Sequence, residues 1–195
     1  MPKFAFFTCL LCCSLIVNAA QPIQLARLTP AELAVQNRNT AWAVPVDENW
    51  NLFEITPNLY RSQRIEPKLL PQLQQLGITT IISFRKFHRD DAVFKKAGIN
   101  VLRVPMLTWR LRDTEIQKAL HYIQQANGKV LIHCQHGADR TGLVAAMYRI
   151  TQQGWNKQEA LDELQNGGYG YHSMWKNIIE YIENVDVTQF NSSKP

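Results

Sequence analysis

The chain has 195 residues, 46% of them hydrophobic and 19% charged, enough for one domain with its own core and too apolar for a chain disordered beyond its ends. A formal charge of +5 suits anionic substrates, although solvated basic faces are common, and no nucleic-acid partner is expected.

Residues 1–20 read as a secretory signal peptide. Lys3 is a short basic start, Phe4 to Val17 is apolar but too short to span a bilayer comfortably, and Val17-Asn18-Ala19-Ala20 offers small residues for cleavage. The mature protein is expected to be periplasmic or secreted, with no stable membrane association. Cleavage would remove Cys9, Cys12 and Cys13 and leave Cys134 alone, so the thiol could not be lost to an internal disulfide.

Residues 21–49 show no strong period and read as an N-terminal arm, with Trp42 and Trp50 placed to pin it down. The expected domain spans 50–184. Asn51 to Ile55 and Asn58 to Ser62 flank Thr56-Pro57 and read as short strands. Leu69, Leu70, Leu73 and Leu76 form a helical stripe ended by Gly77, with Pro71 weakening the first turn. Thr79 to Phe84 is β-branched and apolar, as in a buried parallel strand. Arg85, Lys86, His88 and Arg89 follow at its carboxyl end, where ligands bind in open α/β sheets; the same residues equally suit a solvated charged turn. Asn100 to Val104 is another strand, and Ile116, Leu120 and Ile123 mark a helix that begins at Asp113.

The most informative stretch is Lys129 to Gly142. Val130, Leu131 and Ile132 read as a buried strand, and a helical pattern opens at Gly142, so the residues between form a strand-to-helix turn. The free N–H groups of such a turn and the helix N-terminus bind anions. That field is expected to favour a thiolate at Cys134. Arg140, six positions on, can hold two phosphoryl oxygens bidentately, and the Thr141 hydroxyl can assist departure of the sulfur. A zinc site built from His133, Cys134 and His136 is disfavoured by their crowding, and no metal or other cofactor is expected.

His133-Cys134-x5-Arg140-Thr141 resembles the signature of cysteine-dependent protein tyrosine and dual-specificity phosphatases. The resemblance implies an α/β fold with a mostly parallel central sheet flanked by helices, as the order of strands and helices also indicates. It implies attack by Cys134 on a phosphate monoester, a phosphocysteine intermediate and hydrolysis by water without metal. Substrate binding falls to the loop residues His133, Gln135, His136, Gly137 and Ala138, with Arg85 at one wall. Tyr60-Arg61-Ser62 resembles the segment that opens the domain in small bacterial members, where a structural role for Arg61 is favoured over one facing substrate.

The family pattern breaks where a proton-donating aspartate is usual: Val104 to Arg112 contains no carboxylate. Asp113, at the next helix start, is the first candidate acid, although it could be an N-cap unless a Thr114–Gln117 capping box releases it. Asp139, inside the loop, is the second; that position resembles myotubularin-type lipid phosphatases, and its alternative role is to orient Arg140 or the loop.

Gly142 to Gln153 is apolar nearly all round and reads as a central helix ended by Gly154. Asn156 can cap a helix through Leu161 and Leu164. Gly167-Gly168-Tyr169-Gly170-Tyr171-His172 reads as a connector in preference to a pocket rim, before a last helix from Ser173 to Glu183. Residues 185–195 read as a frayed tail, in which Asn191-Ser192-Ser193 is a glycosylation acceptor only in a eukaryotic secretory host. The expected partner is a phosphorylated protein or simple phosphoester, since the cradle lacks the lysines a polyanion such as an inositol phosphate or phosphoinositide would favour. A monomer is expected. A non-catalytic phosphate-binding module and a redox or sulfur-transfer enzyme use the same features and remain open at this stage.

Overall fold

Among the described residues six strands form one sheet, in the order Val44–Asp47 (β1), Leu52–Thr56 (β2), Leu59–Ser62 (β3), Lys129–His133 (β6), Ile78–Ser83 (β4) and Asn100–Arg103 (β5). The computed structural model describes residues 38–87 and 91–191, so the expected leader, most of the expected arm, His88 and Arg89 lie outside the described residues. The sheet belongs to the compact unit that begins at Asn39.

β3, β6, β4 and β5 pair in parallel, and β1 and β2 extend the sheet as antiparallel strands beyond β3. The parallel core explains the unbroken apolar runs Ile81-Ile82 and Val130-Leu131-Ile132, all buried: strands covered on both faces have no polar side. β1 falls where the sequence shows no strong period, because an edge strand with exposed Val44 and Val46 carries no alternation that marks it.

The helices are α1 (Leu70–Leu76), α2 (Asp91–Lys96), α3 (Asp113–Gln125), α4 (Asp139–Gln153), α5 (Lys157–Asn166), α6 (Lys176–Asn184) and α7 (Thr188–Asn191). Pro71 does not weaken α1; it stands in the first turn, where its missing N–H leaves no bond unmade, and Gly77 closes the helix at φ +76°. α2 was not expected from the basic stretch before it. Asn156 and Glu159 form a reciprocal capping box at the start of α5. Within the expected tail, residues 185–191 are packed and not frayed: Val185 and Val187 pack on the main core and Phe190 of α7 is buried in it.

That main core covers one sheet face and surrounds α4, whose Leu143, Val144, Ala145, Ala146 and Met147 are all buried, so α4 is the central helix its composition predicts. A smaller core on the other face joins Leu52, Tyr60, Leu73, Ile81, Phe94 and Leu131.

An ion pair between Arg149 and Glu163 is buried beside the larger core. Arg149 Nε donates to Glu163 Oε2 at 2.7 Å and its Nη2 donates to Oε1 at 2.9 Å; the side chains are 4% and 5% exposed. Burial pushes the Glu163 carboxyl up, but the bonds from Arg149, the Ala43 amide and the Tyr169 hydroxyl together hold it below the ordinary range. Arg149→Met strands that carboxylate, so the variant should lose about 3–5 kcal/mol of stability in urea unfolding. A loss below about 1 kcal/mol would show that the pair carries little.

Candidate active site

The turn between β6 and α4 runs from Cys134 to Ala138, and its shape is set by what its carbonyls touch. Parallel pairing places Ser62 opposite His133, and the Arg64 amide continues the ladder past the strand ends to the Gln135 carbonyl at 3.0 Å. Asn51 Nδ2 donates to the His136 carbonyl at 2.8 Å, and Arg61 Nη2 to the Gly137 carbonyl at 2.8 Å. His133 Nδ1 lies 3.2 Å from the Cys134 carbonyl, which can only accept, so the ring proton sits on Nδ1. Carbonyls 134 to 137 are therefore all held.

A trans peptide points its N–H opposite to its C=O, and no described peptide is cis. Fixing those four carbonyls turns the N–H groups of residues 135–138 away from the tethers and into the turn, where none has a protein partner among the described residues. Next to them, α4 begins at Asp139 with Ala138 as N-cap and no side-chain cap, so its first N–H groups are also open. Uncapped donors on a curved backbone bind a tetrahedral oxyanion.

Gly137 permits the turn. Its φ is +75°, and an added Cβ would stand 2.6 Å from the Ser62 carbonyl carbon.

Arg140 leaves α4 toward the other flank of β6. Its Nη1 donates to the carbonyls of Phe84 at 3.2 Å and Met106 at 3.3 Å, which locks one edge of the guanidinium to the ends of the β4 and β5 connections. Cys134 and Thr141 are buried, and the Thr141 hydroxyl makes no hydrogen bond to the sulfur or to any other described group. Arg85 is buried one residue beyond Phe84, and its carbonyl accepts from Arg103 Nη2 at 3.0 Å.

The two candidate acids sit differently. Asp113 opens α3 without capping it: the N-cap is Arg112, with no side-chain cap bond, so neither an Asp113 cap nor a Thr114 capping box forms. Asp113 Oδ1 accepts from the Tyr181 hydroxyl at 2.7 Å, and burial, followed by this carboxylate, drives the Tyr181 phenol strongly upward so that it stays a donor. Asp139 is buried, and its carboxylate is taken by His172, whose backbone N–H reaches Oδ1 at 3.0 Å and whose Nδ1 lies 2.9 Å from Oδ2. Burial and then Asp139 push the Tyr171 phenol up to about 12. The turn 167–172 therefore touches the loop and is more than a connector.

Arg61, Asn51, Arg64 and His172 carry more of this site than the sequence suggests. Arg61 is 1% exposed, stacked 3.6 Å from the Tyr169 ring centroid, and its guanidinium is lowered by burial against the opposing pull of Tyr169, Glu163 and Cys134. Its signal was a charge at a strand position that the register buries. His172 has no sequence signal; only the fold brings it to Asp139.

A strand, an oxyanion-binding turn with a buried cysteine at its start and a clamped arginine at its end define a cysteine-based phosphatase site. The family model for the dual specificity phosphatase catalytic domain matches residues 59–181. The chain is 42% identical over 162 residues to the dual specificity protein phosphatase TpbA of Pseudomonas aeruginosa, spanning 82% of this chain and 73% of that one. A crystal structure of a cysteine-to-serine variant of P. aeruginosa TpbA in complex with phosphotyrosine superposes with a TM-score of 0.74 at 40% identity, covering 79% of this chain and 96% of that one. The Siw14 catalytic core shares the fold at 21% identity and a TM-score of 0.62, over 75% of this chain and 90% of that one. The chain belongs to the dual specificity phosphatase family, and it is a cysteine-dependent phosphatase.

Arg61→Met frees the Gly137 carbonyl and with it the amide of Ala138. Vanadate inhibition should weaken by about tenfold or more, the worth of a hydrogen bond from a charged donor, while Arg61→Lys recovers part of it. Unchanged inhibition by vanadate in Arg61→Met would remove Arg61 from the site.

Proposed function

We propose that the chain is a periplasmic or secreted enzyme that hydrolyses phosphotyrosine, phosphoserine or phosphothreonine in proteins through a phosphocysteine. The observation that carries this reading is the ring of amides 135–138 facing a turn that opens at Cys134 and closes at the clamped Arg140. TpbA, the relative bound to phosphotyrosine, supports the substrate class. Lys3 and the apolar run from Phe4 to Val17 support export to the periplasm or beyond.

In this reading the amides and the free edge of Arg140 hold the three non-bridging oxygens. Cys134 sulfur attacks phosphorus as a thiolate; the P–S bond forms and the bond to the leaving oxygen breaks. Asp113 protonates that oxygen, because its Oδ2 has no partner among the described residues and it ends the loop that begins at Met106, beside Arg140. Asp139 has both oxygens engaged by His172, which suits it to hold the loop. Water then attacks phosphorus, the same carboxylate takes its proton, and the thiolate leaves with help from the Thr141 hydroxyl, which has no competing partner among the described residues. Arg85 walls the site from the β4 end, and His133, Gln135, His136, Gly137 and Ala138 shape the cradle.

Cys134→Ser should abolish hydrolysis of a phosphotyrosine peptide while binding of the peptide survives; residual turnover above about 1% would contradict a sulfur nucleophile. Asp113→Asn should slow an alkyl phosphate by about 10²–10⁴ and barely change an aryl phosphate with a good leaving group. If Asp139→Asn shows that pattern and Asp113→Asn does not, the acid lies in the loop. A panel of phosphopeptides and inositol phosphates tests the substrate class, with preference for the latter overturning it.

A further inference from the structure

We propose that His136, Asp139 and His172 form a binding site for a borderline divalent cation such as zinc(II) at the edge of the phosphate loop. One ligand atom from each residue can be chosen so that all lie within 4.8 Å of one another. His172 Nδ1 and Asp139 Oδ2 are 2.9 Å apart, close to the edge of a zinc coordination tetrahedron, roughly 3.3 Å for bonds near 2.0 Å. A cation replaces the proton they share with an opening of a few tenths of an ångström. The His136 ring already stands edge-on to His172, with centroids 5.2 Å apart, and being exposed it can rotate to complete the set.

Three features make this a built site and not a chance meeting of surface groups. The Asp139 side chain is only 9% exposed and fixed at the first residue of α4. The His136 backbone is anchored through its carbonyl to Asn51 Nδ2 at 2.8 Å, and the same Asn51 amide holds the Tyr169 carbonyl at 2.9 Å, which fixes the turn that carries His172. His172 is further fixed by its own N–H on Asp139 Oδ1. Two imidazoles and one carboxylate favour zinc, cobalt, nickel or copper over magnesium or calcium, and three protein ligands leave a coordination position open to water or an anion.

The test is titration with cobalt(II), whose visible absorption reports tetrahedral ligation, followed by displacement with zinc. It is made on the full-length chain with Cys9, Cys12, Cys13 and Cys134 replaced by serine, so that no thiol contributes. The expected result is one cobalt per chain, displaced by zinc and not by a hundredfold excess of magnesium. His136→Ala and His172→Asn should each weaken binding by at least about tenfold. Asn at 172 retains a donor for Asp139, so loss with an unchanged melting temperature separates ligation from folding. Absence of stoichiometric binding, undiminished binding in His172→Asn, or binding only when Cys134 is restored would each overturn the proposal. None of these readouts depends on phosphatase activity.

Discussion

The structure depends on the fixing of four consecutive peptide carbonyls. Each of residues 134–137 gives its carbonyl to a different donor, His133 Nδ1, the Arg64 amide, Asn51 Nδ2 and Arg61 Nη2. Peptide planarity then leaves the intervening amides one direction to face. A positively polarised hollow results without any lysine, and a phosphoryl group entering it meets donors already oriented, so little reorganisation is left for the reaction itself.

The donors are in turn braced by burial. Arg61 forms no ion pair with a carboxylate among the described residues; it rests on the Tyr169 ring, whose hydroxyl donates to Glu163 at 2.9 Å, and Glu163 is paired with Arg149. A guanidinium is suited to this place because it stacks flat on an aromatic face and is weakly hydrated. The network runs from the loop through β3 to α4 and α5, so the parts of the fold that look purely structural hold the chemistry in register. Arg140 ties the loop to the other side of β6, through carbonyls beyond β4 and β5. The catalytic turn is thus held on both flanks of the strand that delivers it.

Much of this was legible beforehand. The apolar runs at β4 and β6, the central α4 and the Cys134 to Thr141 motif follow from local pattern, because burial on both faces and a fixed loop spacing leave a direct trace in the residues. Contacts between distant segments leave none. Asn51, Arg64 and His172 reach the loop only because the sheet sets β3 beside β6 and a glycine turn swings back across α4. Phe190 was misread for the same reason: three apolar residues spread over a polar tail have no period, yet the core accepts them. Asp113 reads as a candidate acid that could instead be an N-cap; it caps nothing, and the Tyr181 hydroxyl from α6 takes one of its two carboxylate oxygens, a contact with no trace in the local sequence.

Amide NMR of the Cys134→Ser protein titrated with tungstate tests the central claim most directly. The account predicts that the N–H resonances of Gln135, His136, Gly137 and Ala138 move downfield together on saturation, with smaller changes in the first turn of α4, as donors already aimed at one anion accept it. Tungstate binding that leaves those four resonances in place, or shifts only side-chain signals, would show that the loop amides do not form the cradle.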